Sequence, residues 1–258
     1  VKKSSFSIDL SGKKALVTGG TRGIGLAAST FFARAGADVA MIFRSRKREA
    51  AASAAKLSGL GVKAIALPAD ISKERQVAKA FGRALERLGG LDFLVNNAGI
   101  WPGGSVEKIS LQNWEETFAV NMRGTFLFTR LAVAHFKKQG FGRVVNLSST
   151  AGQRGEAFHS PYAATKGAVI SFTKSLASEL GPFGITVNAV APGWVDTEMS
   201  NSELGRSSSR RKIESAIPTR RVATSEEIGA MIVYLCSDYA GQINGEIVNI
   251  NGGSVLVG

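Results

Sequence analysis

Tyr162 and Lys166 stand four residues apart, directly behind Ser160-Pro161. Serine followed by proline is the pattern of an N-cap with proline at the first helical position, so both side chains are expected on one face of a helix start. A free phenol, with a pKa of about 10, is a poor acid or base at neutral pH. An ammonium about 4 Å away, at an effective dielectric of about 20, contributes up to about 4 kcal/mol. That would lower the phenol by about two to three units, toward the range of a useful general acid. Alone, such a spacing is most often a surface pair on an amphipathic helix.

Two further groups point to a nucleotide. Thr18-Gly19-Gly20-Thr21-Arg22-Gly23-Ile24-Gly25 follows an apolar run and opens an amphipathic one. Glycines there let the backbone turn tightly and approach a pyrophosphate, whose charge sits on the helix N-terminus. The spacing is neither the common G-x-G-x-x-G nor a P-loop, since no Gly-Lys-Ser/Thr follows. An ordinary glycine-rich turn is the plain alternative. Arg44-Ser45-Arg46-Lys47-Arg48 follows the second apolar run, and Phe43 fills the place where an acidic residue would hold the ribose of NAD. Arginine grips a phosphate through parallel hydrogen bonds, so a 2′-phosphate is the expected guest and NADP(H) is preferred over NAD(H). The alternative is a solvated basic helix start.

These groups need a scaffold. Lys14–Thr18, Asp38–Phe43, Val62–Leu67, Leu91–Val95, Val144–Leu147, Thr186–Val190 and Glu246–Ile250 read as strands. Between them lie amphipathic stretches at Ile24–Ala35, Lys47–Ser58, Lys73–Leu88, about Gln112 to Lys138, Pro161–Gly181 and Thr224–Ser237. The strands are almost wholly apolar, as buried parallel strands should be. Strand–helix alternation without a linker or repeat predicts one α/β domain over 1–258, a doubly wound parallel seven-stranded sheet with helices on both faces. Thr197–Arg221 fits neither pattern. It holds Gly205, Ser207-Ser208-Ser209 and six basic residues, Arg206, Arg210, Arg211, Lys212, Arg220 and Arg221. It is expected to be a mobile substrate lid, with a disordered segment as the alternative.

Taken together and in order, these motifs resemble the short-chain dehydrogenase/reductase family over nearly the whole chain. They are T-G-x-x-x-G-x-G at Thr18–Gly25, Asn96-Asn97-Ala98-Gly99, Asn121, Ser149, Tyr162-x3-Lys166 and Pro192-Gly193. Within the family the chain is most similar to the 3-oxoacyl-[acyl-carrier-protein] reductase-like members. The resemblance implies a Rossmann-like fold and a catalytic set of Asn121, Ser149, Tyr162 and Lys166. Ser149, thirteen residues before Tyr162, would hold the substrate oxygen as charge develops; Ser148 is rejected on spacing. Asn121 would hold a water linking Lys166 to solvent, against a plain reading as a helix-bending polar residue. The dinucleotide would meet Gly19, Thr21, Arg22, Gly23, Ile24 and Gly25 at the turn, and Arg44 and Ser45 beyond the second strand. Asp70, Ile71, Asn97, Ala98 and Gly99 would line its adenosine side, and Pro192, Gly193, Val195 and Thr197 its nicotinamide side, with Tyr162 and Lys166 between. Two positions where fatty-acid-synthesis members tend to carry arginine are Gly140 and Phe183 here, with Lys137, Lys138 and Arg143 as neighbouring substitutes. His159 is expected to be exposed ahead of its helix, with contact to substrate as the alternative, His135 on a helix surface, and Cys236 in the core.

Composition narrows the classes. The chain has 258 residues, 44% hydrophobic and 20% charged, which excludes a disordered tail or coiled coil. One cysteine excludes an intrachain disulfide, and the two histidines do not form a metal-ligand pair, so no metal is expected. No apolar run approaches the roughly 20 residues of a membrane span, and Val1-Lys2-Lys3-Ser4-Ser5 lacks the apolar stretch of a secretory signal. A cytoplasmic setting is expected. The net charge of +12 suggests anionic substrates or an acidic partner, but no nucleic-acid motif accompanies it. The expected enzyme is therefore an NADPH-dependent ketone reductase, a homotetramer or dimer, acting on a small carbonyl compound or an acyl-thioester. Oxidation of a sugar, polyol or secondary alcohol is the enzymatic alternative. A nucleic-acid-binding or scaffold protein on the same fold is the alternative of another class.

Overall fold

The computed structural model describes residues 7–257; the basic opening Val1–Ser5 lies outside them. Strand β1 (Lys14–Thr18) leads through α1 (Gly23–Arg34) to β2 (Asp38–Phe43), then α2 (Lys47–Ser58), β3 (Ala64–Pro68), α3 (Glu74–Leu88) and β4 (Phe93–Asn96). The second half runs α4 (Leu111–Phe118), α5 (Gly124–Gln139), β5 (Gly142–Leu147), α6 (Thr150–Arg154), α7 (Ser160–Leu180) and β6 (Ile185–Pro192). It closes with α8 (Asn201–Leu204), α9 (Ser207–Ala216), α10 (Ser225–Cys236) and β7 (Ile247–Ile250).

All seven strands pair in parallel, in the order β3-β2-β1-β4-β5-β6-β7. The chain winds outward from β1 in one direction and from β4 in the other. That reversal opens a crevice beyond the carboxyl ends of β1 and β4, where sheets of this kind bind ligands. Strand residues are apolar on both faces, and their alternation divides the core. Leu16, Ile42, Leu94 and Val144 pack under α3, α5 and α7, while Val17, Met41, Val95 and Val145 pack under α1 and α10.

Three local features depart from the sequence-based expectation. The long helix expected from Gln112 is interrupted by a π turn at Ala119–Arg123, which contains Asn121. A single widened turn of this sort inside an α-helix is frequent at functional sites. Helix α7 begins one residue earlier than expected, so His159, without a side-chain cap bond, takes the cap position. Ser160 is already helical.

The third concerns 197–221. Its expected lack of pattern is corrected to a 3-10 turn at Glu198–Ser200, the short α8 and the ten-residue α9. Leu204, Ile217 and Val222 are buried there with Trp194 and Ile213 packed against them. Within the segment Leu204, Ile213 and Ile217 are too widely spaced to show a periodicity in advance. Arg210 joins Asp196 at 2.9 Å and Glu214 at 3.0 Å, and Arg221 is paired with Glu227. Among the described residues these two alone of the six basic side chains make an ion pair, so the free basic cluster is smaller than its composition implies.

Candidate active site

The glycine turn joins β1 to α1. Gly19 and Gly23 have φ of +63° and +49°, conformations that L side chains rarely adopt. At Gly25 a Cβ would lie 2.2 Å from the Gly19 carbonyl oxygen and 2.6 Å from Asn97 Nδ2. Only glycine fits there. The cap residue of α1, Arg22, is extended and makes no side-chain cap bond, and no acidic residue occupies the first turn. The first N–H groups of α1 are thus left for an anion. Beside the turn, Thr18 Oγ1 accepts from the backbone N–H of Asn97 at 3.0 Å and of Ala98 at 3.1 Å. Asn97 Nδ2 donates back to the Thr18 carbonyl at 2.8 Å. The Asn97 side chain therefore braces the turn.

One cavity of about 600 Å³ runs over the crevice. Gly19, Thr21, Arg22, Gly23 and Ile24 floor its first part, with Arg44 and Ser45 at the end of β2 and Asp70 and Ile71 after β3. Burial works to raise the Asp70 carboxyl, but two hydrogen bonds from Ser72 and the charge of Arg44 bring it below the usual range. Asn97, Ala98 and Gly99 border the middle. Pro192, Gly193, Val195 and Thr197 border the far part, beside Ser149, Tyr162 and Lys166. Of the residues expected at the site, Gly25 and Asn121 alone stand behind this lining.

Ser149 is the extended cap residue of α6. Its hydroxyl accepts from the Ala151 N–H at 3.1 Å, and it borders the cavity beside Tyr162. Ser148 is turned away, its hydroxyl donating to the Lys166 carbonyl at 2.9 Å in the interior. Lys166 is buried, and its Nζ donates to the Leu147 carbonyl at 2.5 Å. Burial lowers it to about 8. Asn121 is held on both sides of its amide: Oδ1 accepts from Ile100 N–H at 2.8 Å, and Nδ2 donates to Ile100 O at 3.0 Å and Thr165 Oγ1 at 3.1 Å. A Cβ on Gly99 would lie 3.2 Å from Asn121 Oδ1 and 3.8 Å from Lys166 Nζ, so the backbone at Gly99 brings the two groups together.

The expected acidification of Tyr162 is not found. Its ring is half-buried, and desolvation pushes the phenol up to about 12; the Ser149 hydroxyl pulls it down, and the Glu156 carboxylate raises it further. Lys166 Nζ lies 5.6 Å from the ring centroid and is spent on Leu147. Burial, not the Lys166 ammonium, sets the direction of the shift.

The sequence reading missed most of the wall opposite. Trp101 stacks on His159, with centroids 4.1 Å apart and planes 9° from parallel. Its Nε1 donates to Glu156 Oε2 at 3.1 Å, and Trp194 meets it edge-on at 5.8 Å. His159 Nδ1 lies 3.0 Å from Pro102 O. His159 is therefore half-buried behind Trp101, which corrects its expected exposure. A tryptophan directly after Asn96-Asn97-Ala98-Gly99-Ile100, and another directly after Pro192-Gly193, was the available signal. His135 is half-buried with Nε2 enclosed, not on the surface as expected. Cys236 is in the core, where burial raises its thiol strongly.

The basic substitutes near Gly140 and Phe183 divide. Arg143 is buried, stacked on Phe141 and bonded to the carbonyls of Gly142 and Gly184, so it does not face a partner. Lys137 lies 4.3 Å over the Phe183 ring and 3.7 Å from Glu179. Of these three substitutes, only Lys138 makes no ion pair or ring contact.

Comparison with known proteins agrees with this geometry. Residues 19–254 match the family model described as enoyl-(acyl carrier protein) reductase. The 3-oxoacyl-[acyl-carrier-protein] reductase FabG of Aquifex aeolicus (strain VF5) is 40% identical over 251 residues, covering 96% of this chain and 99% of that protein. Nodulation protein G of Azospirillum brasilense is 36% identical over 95% of this chain and 98% of its own. The crystal structure of 3-ketoacyl-(acyl-carrier-protein) reductase from Brucella melitensis complexed with NADH superposes with a TM-score of 0.90 at 34% identity, covering 96% of this chain and all of that one. No helix among the described residues is long and apolar enough to cross a membrane. The chain belongs to the short-chain dehydrogenase/reductase family of oxidoreductases.

Proposed function

We propose that this oxidoreductase reduces a ketone to a secondary alcohol with NADPH, using Tyr162 as the proton donor. The observation that carries the reading is that Ser149, Tyr162 and Lys166 together border one end of a cavity whose other end is the glycine turn. The turn suits a dinucleotide, since the space a Cβ of Gly25 would fill is closed and the α1 N-terminus is uncapped. Gly19 to Ile24 would hold its pyrophosphate, Arg44 and Ser45 its adenosine phosphate, and Thr197 and Val195 its nicotinamide end. The bound dinucleotide supplies the hydride.

The chain's own residues handle the oxygen. Ser149 donates to the substrate carbonyl and holds it as negative charge develops. Tyr162 then gives its proton to that oxygen. A phenol raised to about 12 stays protonated through neutral pH, which suits donation better than abstraction. Lys166, with Asn121 beside it around Gly99, replaces the proton from solvent and holds the nicotinamide ribose.

NADPH rather than NADH rests on Arg22, Arg44 and Arg46 around one end of the cavity and on Phe43 in place of an acidic residue; the Brucella relative is complexed with NADH. The activities named for the relatives favour a 3-oxoacyl compound. The buried Arg143 weakens the case for a carrier-protein dock and leaves ketone reduction untouched. A second reading, oxidation of a ring-bearing secondary alcohol, is favoured by Trp101, Trp194 and Glu156, which offer aromatic rings beside a carboxylate acceptor. We read 197–221 as the lid. Leu111, Trp114 and Phe126 are exposed on α4 and α5 and favour a homotetramer or dimer in the cytoplasm.

The deciding experiment is a panel of ketones and alcohols with both cofactors, run in both directions on the wild type and Tyr162→Phe. The variant should lose turnover while its NADPH affinity stays within a fewfold. Substantial single-turnover activity in Tyr162→Phe would remove the phenol from the mechanism.

A further inference from the structure

Arg22 and Arg46 come from different turns, one after β1 and one after β2, and converge on a single carboxylate. Glu198 Oε2 lies 2.9 Å from Nη1 of each arginine, and its Oε1 lies 3.1 Å from Arg46 Nη1. Glu49 adds a second carboxylate to Arg46 at 3.3 Å. All four residues border the cofactor cavity together with Arg44. Arg46 holds its place with φ of +61°, a left-handed conformation uncommon outside glycine.

We propose that Glu198 occupies, in the ligand-free protein, the anion position that a 2′-phosphate would take, so that the phosphate and Glu198 compete for the same guanidinium groups. This rests on the NADPH reading and adds to it a residue of this chain that sets how strongly the phosphate is held. A carboxylate bridging two guanidiniums presents two anionic acceptor oxygens where a phosphate monoester presents three, with roughly half its charge. The phosphate is the stronger partner. The ion pairs it must break are exposed by about half, at 58% for Arg22, 57% for Glu198 and 46% for Arg46, and pairs in such places are weak enough to exchange.

The competition also reaches the lid. Glu198 directly follows Thr197, whose Cγ2 lies 3.6 Å from where a Cβ of Gly23 would stand. It opens the 3-10 turn that leads into α8 and α9. At the other end of this segment, Ile217 and Val222 pack with Leu204 in a small core. Glu198 is thus the ionic tie between the cofactor loops and the start of the lid, and a phosphate that displaces it frees that end.

The test is Glu198→Gln, read by calorimetric binding of adenosine 2′,5′-bisphosphate and of AMP at fixed low salt, with hydrogen exchange across 198–216. The expected result is a gain of about threefold to tenfold for the bisphosphate, none for AMP, and faster exchange at 198–204 in the free variant. The bisphosphate should produce the same faster exchange in the wild type. If the wild type prefers the bisphosphate and Glu198→Gln binds it no more tightly, the competition is overturned and the NADPH reading stands. If the wild type binds both nucleotides equally while the variant prefers the bisphosphate, the competition is supported and the wild-type cofactor preference falls. Equal binding in both proteins overturns both.

Discussion

Lys166 reaches past Tyr162 to the carbonyl of Leu147, at 2.5 Å, and its ammonium stands 5.6 Å from the centre of the tyrosine ring. The pair shares a helix face as their spacing requires, yet the charge is anchored to the end of β5. Ser148 completes the link from the same strand end by donating to the Lys166 carbonyl. The lysine is thus a buried cation fixed by backbone, and the phenol is left to its low-polarity surroundings.

Such burial makes stability depend on pH in a defined direction. The Lys166 ammonium is lowered to about 8 in the folded protein from an ordinary value of 10.5. Between those values the unfolded chain binds more protons than the folded one, so stability rises with pH. Below about 8 the cost of the buried charge is constant. Lys166→Met removes this cost. Its stability minus that of the wild type, from urea unfolding of the ligand-free proteins, should shrink by about 1–3 kcal/mol between pH 7.5 and 10. The opposing change from Tyr162, which is raised to about 12, sets in only above its unfolded value of about 10. A difference that stays flat over that window would show that Lys166 titrates normally.

Gly25 offers a test of the turn itself. A methyl group there would meet the Gly19 carbonyl at 2.2 Å and Asn97 Nδ2 at 2.6 Å, and neither is the free end of a flexible chain. Gly25→Ala should therefore push the turn off β1 and loosen Asn97, whose Nδ2 donates to Thr18 O. The expected result is a loss of NADPH affinity of tenfold or more, with destabilisation of about 2 kcal/mol or more. Gly82→Ala, in the middle of α3 with nothing near its missing Cβ, is the control and should slightly stabilise the helix. Equal cofactor affinity in the two variants would remove the close approach from the argument.

What was legible in the sequence was what the chain encodes locally. The strands announce themselves because each is a short apolar run, and the glycine turn and Tyr162–Lys166 because their members are a few residues apart. The π turn at Asn121 was hidden, since Ala119–Arg123 has no composition that distinguishes it from the helix around it. Helix α9 was hidden because Arg210 is satisfied by Asp196 and Glu214, and Ile213 and Ile217 alone face inward. The Trp101 wall depends on contacts with Glu156 and His159, more than fifty residues away. The direction of the Tyr162 shift failed for the same reason, because spacing gives the lysine and only the fold gives the burial and Glu156.

Glu156 therefore carries a prediction of its own. Its carboxylate accepts from Trp101 Nε1 at 3.1 Å and adds to the rise of the Tyr162 phenol. Glutamine in its place still accepts from the indole, so the wall survives while the charge is lost. With one negative charge fewer beside it, the phenol should ionise at lower pH. Alcohol oxidation needs the phenolate, and each unit by which its pKa falls raises that fraction tenfold at a pH well below it. Glu156→Gln should thus oxidise a secondary alcohol about threefold to tenfold faster than the wild type at pH 8–9, with its rising limb moved to lower pH. Ketone reduction at pH 6.5, where the phenol is protonated in both proteins, should change little. Trp101→Ala should behave in the opposite manner, raising KM in both directions and leaving the pH profile of kcat in place. A Glu156→Gln enzyme whose pH profile matches the wild type, with KM raised as in Trp101→Ala, would reduce Glu156 to a prop for the indole.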